Sequence, residues 1–475
     1  MSIGSVLNMA RAGMNAQQAA VQTASQNIAN ATTVGYSKQT LQLATTYPTV
    51  FPYGSIGTGV SIVGITRSRD ALLDASYRQS SGGAASAETT SSALGQVESV
   101  FGEPSDTGLS ASLDKFWTAW SDLASDPSNA AAKSVVREAG NNVASTLNNF
   151  AAQIDQIDQS NREAMSNDVN QVNSITKQVA QLNNQIIAAE SSGNEAPDLR
   201  DERDRLLDQL SKITGGQVII RSSGNAAVYV GGRMIVDGSS VTPLVMNNTQ
   251  PPTVTYAGST TPLAGVTGSL GAEIDLSQNR LPAVMNKLDA LAKSIVQTVN
   301  SIHTSGQIFS GTPPVASPAG NFFDVTTPPP SGTDPRLTAR GMRLSPTLVN
   351  GAAVAASGGA ATGPGDNTAA LALANLRTTA VSITSANGNT TTAALGDYFN
   401  SMVGDLATET QQATDDSSVM GTILASAGTR RDSVSGVSTD EELVSLIQHQ
   451  HAYQAAARLV TVVDDMMQTL LDIGR

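Results

Sequence analysis

The sequence has no cysteine, three histidines, two tryptophans and only 4% aromatic residues. Without a thiol there is no disulfide framework, no thiolate metal site and no cysteine nucleophile. His449 and His451 stand two apart, which on a helix places them on different faces instead of at the four-residue spacing that grips a metal, so they are read as surface or interface residues. His303 falls at the end of a helical pattern beside Gly306, where it is expected to cap the helix C-terminus. Basic residues are scarce too: 27 Lys and Arg against 40 Asp and Glu give a net charge of −13, which argues against a surface that tracks phosphates and sets nucleic acid aside. No run approaches the roughly 20 apolar residues of a membrane helix, so no membrane insertion is expected. The first 30 residues, with Arg11 the only early charge, lack the pattern of a cleaved leader. No phosphate loop, paired-glycine dinucleotide turn or nucleophile elbow occurs. No catalytic residue, cofactor or metal ligand is therefore assigned, and the chain is expected not to be an enzyme.

What the sequence does have is helical periodicity at both ends. Over residues 1–39, Leu7, Met14, Val21 and Ile28 recur every seven positions, flanked by a second line of Ile3, Ala10 and Ala24, so a helix here carries one narrow apolar seam. Residues 438–471 repeat the pattern with Leu443, Leu446, Ile447, Tyr453, Ala457, Val460, Val463, Met467, Leu470 and Leu471. Ser438 and Glu441 form a capping-box pattern, with acidic residues 440–442 on the positive end of this last helix. The two terminal helices are expected to pair.

Between them, residues 40–66 read as extended and 69–101 as helical. A short helix follows around Trp117 and Trp120, which are read as core anchors. From Val143 to Ile186 apolar positions in threes and fours predict a helix of about 45 residues, roughly 65 Å long. After a turn at Ser192, Gly193 and Asn194, the run Asp198-Leu199-Arg200-Asp201-Glu202-Arg203-Asp204-Arg205 reads as a solvated, ion-paired helix face. At Gly215 the period becomes alternating, predicting strands at 218–221, 227–230, 234–236, 254–256 and near Leu270, with Gly231-Gly232 as a hairpin turn. Helical spacing returns at 281–302. Residues 304–366 read as irregular, with strands around 322–325 and 342–348, and helices follow near 368–377 and over 395–430.

The expected fold is α+β: a long-helix bundle or coiled coil built from both chain ends, with an inserted small β-rich outer domain. The expected division is 1–45 with 432–475 as a terminal axial domain, 46–214 with 277–305 and 366–431 as a helical middle domain, and 215–276 with 306–365 as the β-rich outer domain.

Two stretches carry a family resemblance. Ser25-Gln26-Asn27-Ile28-Ala29-Asn30 with Thr32-Thr33-Val34-Gly35-Tyr36-Ser37-Lys38-Gln39 resembles the N-terminal signature of the axial proteins of the bacterial flagellum. Residues 437–450, Ala452-Tyr453-Gln454-Ala455-Ala456-Ala457-Arg458 and Asp465-Met466-Met467-Gln468-Thr469-Leu470-Leu471 are similar to the end of one family among them, hook-associated protein 1, the hook-filament junction proteins. The 198–204 run and Gly365-Asp366-Asn367 resemble inner segments of the same family. Another axial protein (hook-associated protein 3, a rod or a hook subunit) and a non-flagellar coiled-coil scaffold or adhesin are the alternatives.

The resemblance implies a structural subunit in a helical ring layer of identical copies between hook and filament, needed for filament assembly. Its implied partners are hook protein, hook-associated protein 3 and a cytosolic export chaperone for the C-terminal region. It also implies type III export and a secreted location at the distal end of the hook. The implied assembly interface joins the seam residues Leu7, Met14, Val21, Ile28, Leu443, Leu446, Ile447, Tyr453, Val460, Met467 and Leu471 to Asn27, Asn30, Gly35, Tyr36, Gln450 and Arg458. Gly35 is expected to permit a turn, and Asn27 and Asn30 to cap or bridge backbone groups. Because one helix pair returns less by burial than its ordering costs, both ends are expected to gain order only against neighbouring copies.

Overall fold

The computed structural model describes residues 3–51, 54–191, 193–311, 313–324, 337–350, 353–359 and 363–473. Met1, Ser192 and Val325, and the side chains of Ile3 and Leu470, each part of an expectation above, lie outside what is described.

Helix α1 (Ile3–Asn30) leads into β1 (Gln39–Thr45), a small hairpin β2 (Thr49–Phe51) and β3 (Gly54–Ile56), and β4 (Val60–Arg67), which returns antiparallel to β1. Asp70 caps α2 (Ala71–Phe101) by accepting from the backbone N–H of Leu72 and Leu73. The short α3 (Leu109–Ser125) buries Phe116, Trp117 and Trp120 as expected. Helix α4 (Ala130–Glu190) begins on Asn129, which caps it, and runs for 61 residues, about 90 Å. It is longer than predicted because its first turns, rich in alanine with only Val135 and Val136 as larger apolar residues, lack a sustained apolar repeat. Helix α5 (Pro197–Thr214) follows.

Strands β5 (Gln217–Ile220), β6 (Ala226–Val230), β7 (Arg233–Asp237) and β8 (Ser240–Val241) form a four-stranded antiparallel sheet; β9 (Leu244–Asn247) pairs with β10 (Thr253–Tyr256). Gly231 and Gly232 make the β6–β7 turn. Leu270, expected near a strand, lies instead in helix α6 (Gly268–Asp275), which passes through a π-helical turn at Leu276–Arg280 into α7 (Leu281–Ser305). Its short apolar run fits either period, and packing decides. The hairpin β11 (Gln307–Ser310) and β12 (Val315–Pro318), the short α8 (Pro346–Val349), α9 (Thr368–Asn375) and the hairpin β13 (Val381–Thr384) and β14 (Thr390–Ala393) precede two long helices, α10 (Leu395–Ser435) and α11 (Thr439–Ile473).

Packing forms two cores. One joins α2, α3, α4 up to Ile154, α7, α9 and α10; the other joins α4 from Met165 to Ala180, α5, the strands β6, β7, β9 and β10, and Leu270. Residues 306–359, grouped above with the β-rich insertion, contribute Phe322, Phe323, Met342, Leu344, Leu348 and Val354 to the helical core. Phe322 and Phe323 stack edgewise at 4.9 Å and meet Phe116 there, an aromatic demand that thin sheets leave unmet. His303 is not a helix cap: it is buried, with one ring nitrogen 2.7 Å from the Gly320 carbonyl oxygen and the other accepting from the Ala355 N–H at 3.1 Å. Those two contacts fix a neutral ring, and burial pushes its pKa below the ordinary value.

Candidate functional site

Helices α1 and α11 pair along much of their length, and among the described residues neither contributes to the two cores. Their contact is made by small residues. Ala10, Ala16, Ala20 and Ala24 are buried, and Gly13 faces Ala456. Met14, Val21, Ile28, Leu446 and Val460 are half-buried, and His449 meets Gln17 at 2.7 Å. Leu7, Leu443, Gln450, Tyr453, Arg458 and Met467 are exposed; Ile447 keeps 52% of its surface and Leu471 71%. Val444, Leu459, Val462 and Met466, outside the expected seam, are exposed as well. A helix that is apolar beyond its covered face is one whose burial is incomplete within the single chain.

The signature turn ties this pair to the body. Gly35 adopts φ +89°, a left-handed backbone that favours glycine, and a Cβ there would sit 3.4 Å from the Arg205 Cβ. The turn brings residues 36–39 back over the end of α1, where Asn27 is buried with all its hydrogen-bonding capacity used. Its Nδ2 donates to the Gln39 carbonyl (2.9 Å) and to Glu442 Oε2 (3.0 Å); its Oδ1 accepts from the Tyr36 hydroxyl (2.8 Å) and the Gln39 N–H (3.0 Å). Burial, reinforced by Asp198, Asp201 and Glu442, pushes the Tyr36 hydroxyl pKa far up, so it stays a donor. Asn30 plays a local part, donating back to the Gln26 carbonyl. Ser438 supplies only half a capping box, accepting from the Glu441 N–H at 3.4 Å, because the Glu441 carboxylate pairs with Lys38 instead. Burial opposes the Lys38 charge, but its bonds to Glu442 and Glu441 overcome this and raise its pKa.

The acidic-basic run on α5 is not a solvated face. Asp201, Arg203 and Asp204 are buried, while Glu202 and Arg205 pair outward and Arg200 pairs with Glu190 and Glu195. Spacings of three and four put Asp198, Asp201, Asp204 and Asp208 on one side of α5, which receives cations from three other elements. Asp201 accepts from the Ser37 N–H (2.9 Å), the Ser37 hydroxyl (2.5 Å) and Arg67 (2.7 Å), and Arg67 also reaches Asp204 at 2.8 Å. Arg69 joins the Ser37 hydroxyl to Asp74, and Asp208 holds Arg78 of α2 and Arg431 of α10, each at 2.7 Å. Burial alone would raise the Asp204 pKa, but Arg67 and Arg78 overcome it and hold the carboxyl below its ordinary value. Buried polar contacts of this kind are absent from a count of apolar seam residues. They explain why both ends are helical and paired within one chain, where the burial argument expects order only on assembly. Among the described residues no cluster of three or more metal-ligating groups occurs and no helix is long and apolar enough to cross a membrane.

Comparison with known proteins resolves what the two ends share and what the middle adds. Flagellar hook-associated protein 1 of Bacillus subtilis (strain 168) is 31% identical over 509 aligned positions, spanning 98% of this chain and 97% of the relative. The chain belongs to the flagellar hook-associated protein 1 family. Its role is the structural one of that family, at the hook-filament junction of the flagellum. Flagellar hook-associated protein 1 of Escherichia coli (strain K12) is 24% identical over 99% of this chain and 100% of its own length. That of Salmonella typhimurium is 28% identical over 69% and 60%. A family model described as the flagellar hook-associated protein FlgK helical domain matches residues 94–323. The ends match wider models: flagella basal body rod protein at 7–36, and flagellar basal body rod FlgEFG protein C-terminal at 431–473. The two ends thus match models described for rod proteins, and the middle matches a model described for this family. The solved structure of the flagellar hook junction protein FlgK from Burkholderia pseudomallei, 19% identical, matches with a TM-score of 0.63 over 77% of this chain and 100% of that one, which supports the α+β fold.

Proposed function

We propose that the chain assembles into a ring layer of identical copies at the distal end of the hook, outside the cell, and that its task there is structural, not catalytic. Copies join through the face of α11 that α1 leaves open. The observation that carries this reading is the row of exposed Leu443, Val444, Ile447, Leu459, Val462 and Met466 on a helix already paired along another side. In a closed layer each copy covers its neighbour's row, a head-to-tail contact that repeats around an axis. Hook protein on one side and hook-associated protein 3 on the other are the partners proposed for the layer's two edges. The same open face needs masking before assembly, which supports a cytosolic chaperone bound to the C-terminal region during type III export.

The test is the full chain with Ile447→Asp and Leu459→Asp together. Both positions lie outside the α1 contact, so the monomer is expected to keep its helix content and melting temperature while failing to add to hook tips in electron micrographs. Normal addition of the double variant, or label on the wild-type protein anywhere but the distal hook end, would overturn the reading.

A further inference from the structure

Helix α6 sits where the two cores meet. Leu270 belongs to the strand-rich core, while Leu281, just past the π-helical turn, belongs to the helical one. Between the cores α4 offers a ten-residue stretch, 155–164, in which only Ile157 and Ala164 are apolar, and α6 is stitched to this neck. Asn161 donates to the Glu273 carbonyl and to the Ser277 hydroxyl, both at 2.8 Å, and Ser277 donates to Asp158 at 2.9 Å. About two turns further along α4, Asp168 accepts from the Ser269 hydroxyl at 2.5 Å. At the start of α6, Gly268 lies so close to α5 that a Cβ would stand 2.5 Å from the Ile213 carbonyl oxygen.

Into this joint α6 aims an acid. Glu273 is 5% exposed and its Oε2 has no hydrogen-bond partner. Asp168 of α4 is the charged group that acts on it, and it has the same sign; no charge on α2 acts on it. Lys212 of α5 acts on Asp168. The other charged groups of the joint are already paired, Arg162 with Asp158 and Arg280 with Asp275. A carboxyl group buried here without a donor or a cation is tolerable only when neutral.

We propose that Glu273 is a proton-dependent latch: as a neutral acid it lets α6 seat against α2, α4 and α5, and on losing its proton to water it favours states in which α6 lifts and the strand-rich unit is less firmly held. Burial, with Asp168 adding to it, pushes the Glu273 pKa from 4.5 up to about 8. The sign follows. A lifted α6 exposes a carboxyl of ordinary acidity, so the lifted state binds fewer protons than the seated one between pH 4.5 and 8 and gains population as pH rises through that window. Above pH 8 both states are ionised and the dependence ends.

The experiment is amide hydrogen exchange of the full-length chain from pH 5.5 to 9, corrected for intrinsic exchange and read by mass spectrometry on peptides covering 265–280, with 109–125 in α3 as reference. In the wild type, protection of 265–280 is expected to fall about tenfold per pH unit between 5.5 and 7.5 and to level off above 8, with no parallel change in the reference. Glu273→Gln keeps the shape and removes the proton, so its profile is expected to be nearly flat. Asp168→Asn removes the like charge and is expected to move the levelling point to lower pH. A flat wild-type profile, or a Glu273→Gln profile as steep as the wild type, overturns the proposal. If Glu273→Gln does not fold, an unmoved levelling point in Asp168→Asn overturns it.

Discussion

Asn27 and Glu442, 415 positions apart in the chain, meet through a buried hydrogen bond of 3.0 Å. The contact closes the first helix on the last, and the same amide holds the signature turn through Tyr36 and Gln39. Asn27→Ala strips four hydrogen bonds from one buried point and takes the amide donor from Glu442 Oε2, leaving that carboxylate to Lys38. It is expected to destabilise the terminal pair by about 1–3 kcal/mol, seen as earlier loss of helix in urea monitored by circular dichroism. Glu442→Gln keeps a partner for Asn27 and is expected to cost less.

Asp204 lies between Arg67 at 2.8 Å and Arg78 at 3.5 Å, all three nearly buried. Asp204→Ala takes one of two carboxylate partners from each of Arg67 and Arg78, which keep Asp201 and Asp208, and is expected to cost about 1.5–3 kcal/mol. Glu202→Ala breaks only the exposed Arg205 pair on the opposite face and is expected to be near neutral. Chemical denaturation of the two variants measures the contrast directly.

Acid should act on the fold in two stages. Burial holds the His303 pKa below 6.5, so the unfolded chain takes up a proton there first, and the His303 contribution to stability is expected to decline as pH drops below 6.5, against the gain that the raised Glu273 carboxyl makes as it takes up its own proton. The depressed Asp204 carboxyl contributes stability that is present above pH 3.8 and lost as pH falls below it. Measured against pH, the unfolding free energy of the wild type is expected to fall relative to that of His303→Gln below pH 6.5 and relative to that of Asp204→Asn below pH 3.8.

Removing residues 1–38 or 438–475 takes away one partner of the terminal pair but no member of either core. Each shortened chain is expected to stay soluble, to keep cooperative unfolding of the middle, and to be unable to join the polymer. Gel filtration with thermal melts, and electron microscopy of hooks incubated with each variant, check the two halves of this expectation.

Gly35→Ala forces a side chain into the left-handed turn beside Arg205 and is expected to cost about 1 kcal/mol or more. Val34→Ala, at a residue 86% exposed, is the neighbouring control, expected to leave the melting temperature unchanged.

Periodicity made the terminal helices, the long strut and the tryptophan-bearing helix legible, since each is a sustained repeat that a single core or partner selects. It misjudged which seam residues touch. The large residues Leu7 and Ile447 mark the pattern, yet Ala10, Ala20 and Gly13 let the backbones approach and Ile447 is left outside. Alternating charges on α5 read as solvated because sequence shows signs and spacing but not what lies opposite; the spacing of Asp201, Asp204 and Asp208 was the available signal, and Arg67, Arg78 and Arg431 come from distant segments. Ser37 and Gln39 were visible only as parts of a signature. Phe322 and Phe323 sit in a Gly- and Pro-rich stretch whose composition says loop while its aromatics say core.

The pairing of α1 with α11 also fixes an order of events. Every other large contact can form from segments that precede α11, but α1 has no helical mate until the 35 residues of α11 follow. Loop closure over so long a separation is slow, so the middle is expected to mature while the leading helix waits, unpaired and apolar along one side. During that interval the newest molecule carries a vacant seat at its front, and the finished chain fills it only by completing itself.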